Sequence, residues 1–131
     1  MTRIDPRVKL FVVSAFRIAS WLLAVAIVVL SLVPASLRPE TDVPHDFEHF
    51  AIFVATGIAF GIGYGRRPGL VTLWLVIFAG AVELAQFAIP DRHARLSDFI
   101  VDALAACIGL VIATYVAQRT LAKGIWSRPS T

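Results

Sequence analysis

An almost uninterrupted apolar run from Leu10 to Val33 constrains the fold more than any other feature of this sequence. A helix needs about 20 mainly apolar residues to cross the hydrocarbon core of a bilayer, and a long basic side chain such as Arg17 can extend to the headgroups. Because Pro6 disfavours an earlier helix start, the first span is predicted from Leu10. Three similar segments follow, so the sequence predicts an all-α integral membrane four-helix bundle, with helices at about residues 10–33, 47–64, 70–89 and 98–117.

The composition favours the same class. Of the 131 residues, 58% are hydrophobic and 16% are charged, whereas soluble domains average roughly a quarter charged residues. The length fits one domain, residues 1–131. The net charge is +3, but the basic residues form no continuous patch, so no nucleic-acid partner is expected. The single cysteine, Cys107, has no partner for an internal disulfide.

The start of the chain also has features of a signal peptide. A short basic segment precedes the apolar run, and Val33, Pro34 and Ala35 resemble a cleavage site. The length of the run, and the need of the other helices for a neighbour, favour a first transmembrane helix instead.

The basic residues predict the orientation of the four spans. Of the twelve lysine and arginine residues, nine lie on the side that holds both termini and the turn between the second and third helices. The other three lie on the opposite side. Such an excess over short loops marks the cytoplasmic side. Both termini are therefore predicted in the cytoplasm of a multi-pass protein of the inner (plasma) membrane. The nine are Arg3, Arg7, Lys9, Arg17, Arg66, Arg67, Arg119, Lys123 and Arg128, and the three are Arg38, Arg92 and Arg95.

Polar side chains collect between the third and fourth apolar segments, where an ionisable group costs a few kcal/mol or more unless it faces a polar interior. Glu83 is predicted about 10 Å below the outer end of the third helix. Asp98 and Asp102 share one helix face, which continues through the small residues Ala105, Gly109 and Ala113. We predict a ligand-binding pocket at the outer mouth of the bundle, formed by Asp46, His49, Glu83, Gln86, Arg92, Arg95, Asp98 and Asp102.

Structural alternatives exist for these polar residues. Ion pairs of Glu83 with Arg92 or Arg95, and of Asp98 with an arginine, would fix the helix register without any ligand. A metal site formed by His45, Glu48 and His49 is disfavoured because the chain has no second histidine cluster. No metal or other cofactor is therefore predicted.

Glycines recur every four residues in the second helix, at Gly57, Gly61 and Gly65. This small-residue face is typical of close helix packing in lipid, and contact between two copies of the chain is the alternative. Trp74, near the inner end of the third helix, fits an interfacial anchor.

Thirteen residues form an ordered pattern along the chain: Ser31, Leu32, Pro34, Asp46, His49, Phe50, Glu83, Gln86, Pro90, Arg92, Asp98, Ala106 and Gly109. This pattern resembles the VanZ-like family of bacterial membrane proteins. That family's pattern is Glu-x-x-Gln-x-x-x-Pro-Gly-Arg, then Asp and, four residues later, commonly Asn before a Gly- and Ala-rich segment. This chain has Asp91 in place of the glycine and Asp102 in place of the asparagine.

The resemblance implies an integral membrane protein of the cell envelope without a known cofactor. The founding member is linked to resistance to the glycopeptide teicoplanin, but most relatives lie outside resistance clusters. A role in resistance is therefore not inferred for this chain.

Two functions fit the predicted pocket. In the first, a non-enzymatic protein binds an anionic or lipid-linked envelope component, such as a lipid-linked sugar phosphate, through Arg92 and Arg95. In the second, a membrane-embedded enzyme uses Glu83 or Asp98 as acid or base with His49 as proton partner. The sequence contains no nucleophile motif and no phosphate-binding loop, which favours the first.

Overall fold

The protein consists of four helices in the computed structural model, which describes residues 5–33, 45–89 and 95–120. All four are long and apolar enough to cross a membrane. The predicted all-α class and the four helices are therefore confirmed, and the orientation of the termini stays a prediction. The helices are α1 (Pro6–Leu32), α2 (His45–Tyr64), α3 (Pro68–Gln86) and α4 (Leu96–Thr120).

The first helix starts at Pro6 and not at Leu10. The expectation that Pro6 opposes a helix there is wrong, because the first helical position needs no N–H donor and proline has the correct φ for it. The Asp5 side chain caps this end, with Oδ1 accepting a hydrogen bond from the Arg7 N–H at 2.7 Å.

The third helix ends at Gln86, earlier than the predicted residue 89. The N–H groups of residues 87–89 bond to carbonyl oxygens three residues earlier, at 3.1 to 3.2 Å, which is the pattern of a tighter turn. Pro90 follows, and a proline disfavours the α conformation of the residue before it. Glu83 is therefore one turn from the end of α3, closer than the sequence predicts.

The second helix is the centre of the bundle. It contacts each of the other three helices and has its most extensive contact with α4, whereas α1 and α4 do not contact each other within the described residues. Phe53 of α2 is completely buried, as is Leu75 of α3, and Ile27 of α1 is 2% exposed. The core therefore forms around α2.

Glycines let α2 and α4 approach closely. A Cβ on Gly57 would overlap with the carbonyl oxygen of Ala106, and a Cβ on Gly109 would overlap with the carbonyl oxygen of Val54. Gly61 also faces α4, where an added Cβ would meet the Ala113 Cβ at 2.6 Å. Gly57 and Gly61 thus pack within one chain, as the packing interpretation predicts, and the oligomer alternative stays a prediction.

The bundle has two chemically different ends. The α1 and α2 helices are antiparallel, and Arg17 Nε donates a hydrogen bond to the Gly63 carbonyl oxygen at 2.9 Å. We call the end with Arg17 and the turn 65–67 the basic end. The acidic end holds the last turns of α1 and α3 and the first turns of α2 and α4.

Candidate functional site

A cavity of about 280 Å³ lies at the acidic end, between α2, α3 and α4. We call it the polar pocket. Six of the eight predicted binding residues line it, and the other two, the Asp46 side chain and Arg92, lie outside the described residues. The full lining is His49, Glu83, Gln86, Arg95, Ser97, Asp98, Val101 and Asp102.

Helix periodicity explains why these residues meet. Glu83 and Gln86 are three residues apart on α3, and Asp98 and Asp102 are four residues apart on α4, so each pair shares a helix face. The side chains of Gln86 and Asp102 are buried, at 6% and 4% residue exposure. The predicted convergence of these polar faces is therefore present in the structure.

Glu83 joins α3 to the start of α4. It is 7% exposed, and its Oε1 accepts a hydrogen bond from the Arg95 backbone N–H at 2.5 Å. The Arg95 carbonyl accepts from the Asp98 and Phe99 N–H groups, so Arg95 occupies the cap position of α4. A carboxylate is favourable there because the N-terminus of a helix has partial positive charge.

This contact differs from the ion pair that is the structural alternative to a binding site. Among the described side chains, the Arg95 guanidinium forms no ion pair with Glu83 or Asp98, and Glu83 binds the backbone instead. The alternative pair with Arg92 involves a residue outside the described ranges.

Asp102 is paired with His49 across α2 and α4. His49 Nδ1 lies 3.5 Å from Asp102 Oδ2, and the two side chains are 19% and 5% exposed. This distance is long for a hydrogen bond and within reach of an ion pair. A buried carboxylate is costly without such a partner, so the pair stabilises the polar pocket on its α2 side.

Asp98 has a different environment from Asp102. It is exposed and accepts a hydrogen bond from Ser97 Oγ at 2.9 Å, within the first turn of α4. Below the two carboxylates, Ala105 and Ala113 are buried at 0% and 2% exposure. The prediction that this face of α4 packs inward is confirmed from Asp102 onward, whereas Asp98 lies at the rim.

The described part of the polar pocket is acidic. Glu83, Asp98 and Asp102 face one arginine, Arg95, and one histidine, His49. Within the described ranges, no group of three His, Cys, Asp or Glu side chains is placed to hold a metal ion. The side chain of His45, part of the alternative metal site, is not among those described.

An apolar groove of about 330 Å³ adjoins the polar pocket between α3 and α4. Both cavities are lined by Glu83 and Arg95. We call it the apolar groove, and it is open to the surroundings because Leu84 and Phe87 are 68% and 69% exposed. Its lining is Gly80, Glu83, Leu84, Phe87, Arg95, Leu96 and Phe99.

The sequence does not predict the apolar groove or two lining residues of the polar pocket, Ser97 and Val101. The signal for these two was available, since they are four residues apart and flank Asp98 on the α4 surface. The groove had no comparable signal, because its apolar side chains on a membrane-type helix have the pattern of lipid-facing surface.

Comparisons with known protein families, with curated proteins and with solved structures found no match. The VanZ-like resemblance therefore stays a prediction from the sequence. Over the residues that it describes, the structure defines a protein of four helices, each long and apolar enough to cross a membrane.

Proposed function

We propose that this chain is an integral membrane protein of the cell envelope whose polar pocket binds the headgroup of a lipid-linked component, such as a lipid-linked sugar phosphate. In this proposal the four helices span the inner membrane, with the acidic end outward. Exposed apolar side chains on every helix support insertion, since a soluble surface rarely has so many. Examples are Leu22, Phe50, Leu73 and Leu104, which are 65%, 36%, 56% and 57% exposed.

The observation that carries the proposal is the junction of the polar pocket with the apolar groove. An amphiphilic ligand needs a polar and an apolar site side by side, and these two cavities share Glu83 and Arg95. The groove suits a hydrocarbon chain, and the pocket suits its headgroup. Arg95 stands between them, where the phosphate of a lipid-linked sugar would lie, and a guanidinium binds phosphate in a bidentate manner.

The interior of the polar pocket suits hydroxyl groups better than a second phosphate. Carboxylates accept hydrogen bonds from hydroxyls, and the Gln86 amide both donates and accepts them. Three carboxylates against Arg95 would repel an anion placed deep in the pocket. The volume of about 280 Å³ is at the small end of ligand sites, which favours one sugar unit over a polymer.

Binding by purified protein in nanodiscs tests this function. The ligands are a polyprenyl-phosphoryl hexose, polyprenyl phosphate alone, and a free hexose phosphate. We expect the lipid-linked sugar to bind most tightly, and Arg95→Ala to weaken it by about ten- to a hundredfold, the loss expected for a hydrogen bond to a charged group. Arg119→Ala removes the same charge at the far end of α4 and is the control. Equal affinity of the wild-type and Arg95→Ala proteins, or no binding of any ligand, contradicts the proposal.

A membrane-embedded enzyme is the second candidate function, and the His49–Asp102 pair favours it. A carboxylate beside an imidazole orients it as a general base. Glu83 and Asp98, the acid or base groups expected from the sequence, each accept a protein hydrogen bond instead. With His49 accepting its proton, a water molecule would attack the anomeric carbon, the bond from that carbon to the phosphate oxygen would break, and free sugar and polyprenyl phosphate would leave. His49→Gln would abolish this hydrolysis. Recovery of unchanged ligand after prolonged incubation with the wild-type protein eliminates this candidate for that substrate.

A further inference from the structure

A third cavity, of about 870 Å³, lies at the basic end between α1, α2 and α3. The proposed function does not use it. Three arginines line it, Arg17, Arg66 and Arg67, and no acidic residue is among its lining residues. We call it the arginine groove. Its charge is the opposite of that of the polar pocket, so it suits a different ligand.

Arg17 is held in place at one wall of the arginine groove. Its Nε donates to the Gly63 carbonyl oxygen at 2.9 Å, and its Cζ lies 5.0 Å from the centre of the Tyr64 ring. A Cβ on Gly63 would come within 3.1 Å of Arg17 Cγ, so the glycine makes room for this side chain. The hydrogen bond uses only Nε, and a guanidinium has terminal N–H groups with which to bind a phosphate.

Aromatic side chains form the apolar wall of the same groove. Trp21 Nε1 donates to the Tyr64 hydroxyl at 3.0 Å. The centre of the Trp21 ring lies 5.6 Å from that of the Phe60 ring and 5.7 Å from that of the Trp74 ring. Trp21 and Trp74 remain 48% and 38% exposed. The arginine groove thus combines an ordered aromatic surface with three cations, which is the arrangement expected for an anionic amphiphile.

The length of α1 supplies an independent reason for an anionic partner. Arg17 lies beside Gly63 near the end of α2, but α1 extends back to Pro6. Leu10 and Phe11 on that extension are 68% and 74% exposed. If these apolar side chains contact hydrocarbon, Arg17 lies about 10 Å inside it, at about 1.5 Å per residue. A cation at that depth is costly unless it is paired.

We propose that the arginine groove binds the phosphate of an anionic phospholipid, with an acyl chain against Trp21, Trp74 and Leu70. The three arginines give charge complementarity, and clusters of basic residues between membrane helices are suited to lipid headgroups. This inference requires the membrane insertion proposed above, but it does not depend on the ligand of the polar pocket.

Binding of defined lipids to the full chain tests the inference. Native mass spectrometry of the detergent-solubilised protein compares phosphatidylglycerol, phosphatidylcholine and glycerol 3-phosphate. We expect phosphatidylglycerol to bind most tightly, and Arg66→Gln/Arg67→Gln to weaken it by about fivefold for each arginine. These two residues are exposed in the turn 65–67, so the variant keeps the fold, and Arg17→Gln is the second variant.

Arg119→Gln is the matched control. Arg119 is also at the basic end, but it does not line the arginine groove. Its Cζ lies 4.9 Å from the centre of the Tyr115 ring, which matches the contact of Arg17 with Tyr64. The proposal is overturned if Arg119→Gln loses as much affinity as the double variant, since net charge then explains binding. Equal binding of phosphatidylcholine also overturns it, and so does equal binding of glycerol 3-phosphate, which would indicate a soluble phosphate ligand. Arg95→Ala should leave phosphatidylglycerol binding unchanged, so this test can fail separately from that of the polar pocket.

Discussion

Glu83 has two roles in the structure, one in the polar pocket and one at the start of α4. Its carboxylate lines the polar pocket, and one of its oxygens accepts a hydrogen bond from the Arg95 N–H at the start of α4. Because the side chain is buried, loss of this oxygen leaves a backbone donor without its acceptor.

Glu83→Ala should lower the free energy of unfolding by about 1.5 to 3 kcal/mol, the usual contribution of a hydrogen bond to a charged group. Glu83→Gln keeps an oxygen acceptor and should lose less. Thermal unfolding of the detergent-solubilised protein measures both. Asp98→Ala, at an exposed carboxylate in the first turn of α4, is the control and should cost under about 1 kcal/mol. Equal losses in Glu83→Ala and Asp98→Ala would contradict the capping role.

His49 and Asp102 should be energetically coupled. Their side chains lie 3.5 Å apart, and that of Asp102 is 5% exposed. In a double-mutant cycle of His49→Gln and Asp102→Asn, we expect a coupling energy of about 0.5 to 3 kcal/mol, as for residues in contact. Unfolding midpoints of the single and double variants give this value. Strict additivity would show that the pair does not stabilise the α2–α4 contact.

At the scale of residues, the sequence predicts which side chains form the site better than it predicts their partners. Glu83, Gln86 and Asp102 stand out because burial of polar groups in apolar segments is costly. The backbone partner of Glu83 has no signal in the sequence, since every residue except proline has an N–H group. The packing of α3 against the start of α4 brings the Arg95 N–H to the Glu83 carboxylate.

The contact between α2 and α4 is the most extensive contact between two helices, and glycines line it. Gly57→Ala would normally favour a helix by about 1 kcal/mol, but here the new Cβ meets the Ala106 backbone. We therefore expect a net loss of about 1 to 3 kcal/mol, the usual cost of overpacking. Gly69→Ala is the control, because nothing lies within 4 Å of its Cβ position. Thermal unfolding that shows the two variants to be equally stable would contradict this packing.

Hydropathy and glycine spacing predict the helices and the small-residue contact of Gly57 and Gly61. The helix ends are predicted less well, because they depend on local hydrogen bonds. At Pro6 the Asp5 cap supports an earlier start, and after Gln86 a tighter turn replaces the last helical residues. The partner of the glycine face could not be predicted, since α4 is distant in sequence.

The orientation of the whole molecule can be tested by cysteine labelling. With Cys107→Ser as background, Ser97→Cys places a thiol at the acidic end and Arg67→Cys places one at the basic end, and both positions are exposed. A membrane-impermeant thiol reagent added to intact cells should label Ser97→Cys only, because the excess of basic residues predicts a cytoplasmic basic end. Labelling of Arg67→Cys alone would reverse the orientation.

Each cavity is formed by several helices of the molecule. The sequence predicts the polar pocket but not the arginine groove. The polar pocket is foreseen because its residues are unusual in apolar helices. The arginine groove is not, since Arg17 alone fits a side chain that extends to the headgroups, and Trp74 alone fits an interfacial anchor. Only the packing of α1, α2 and α3 shows that these residues line one cavity.

Photocrosslinking tests most directly whether the apolar groove and polar pocket together hold a lipid-linked sugar. A photoreactive phenylalanine analogue replaces Phe99, which lines the apolar groove, or Phe47, which is 62% exposed near the start of α2 at the same end. The proteins, in nanodiscs, are irradiated with a polyprenyl-phosphoryl hexose that carries a radioactive sugar. We expect label at position 99, removed by an excess of unlabelled ligand, and little at position 47. Equal labelling at both positions, unaffected by the competitor, would contradict a binding site there.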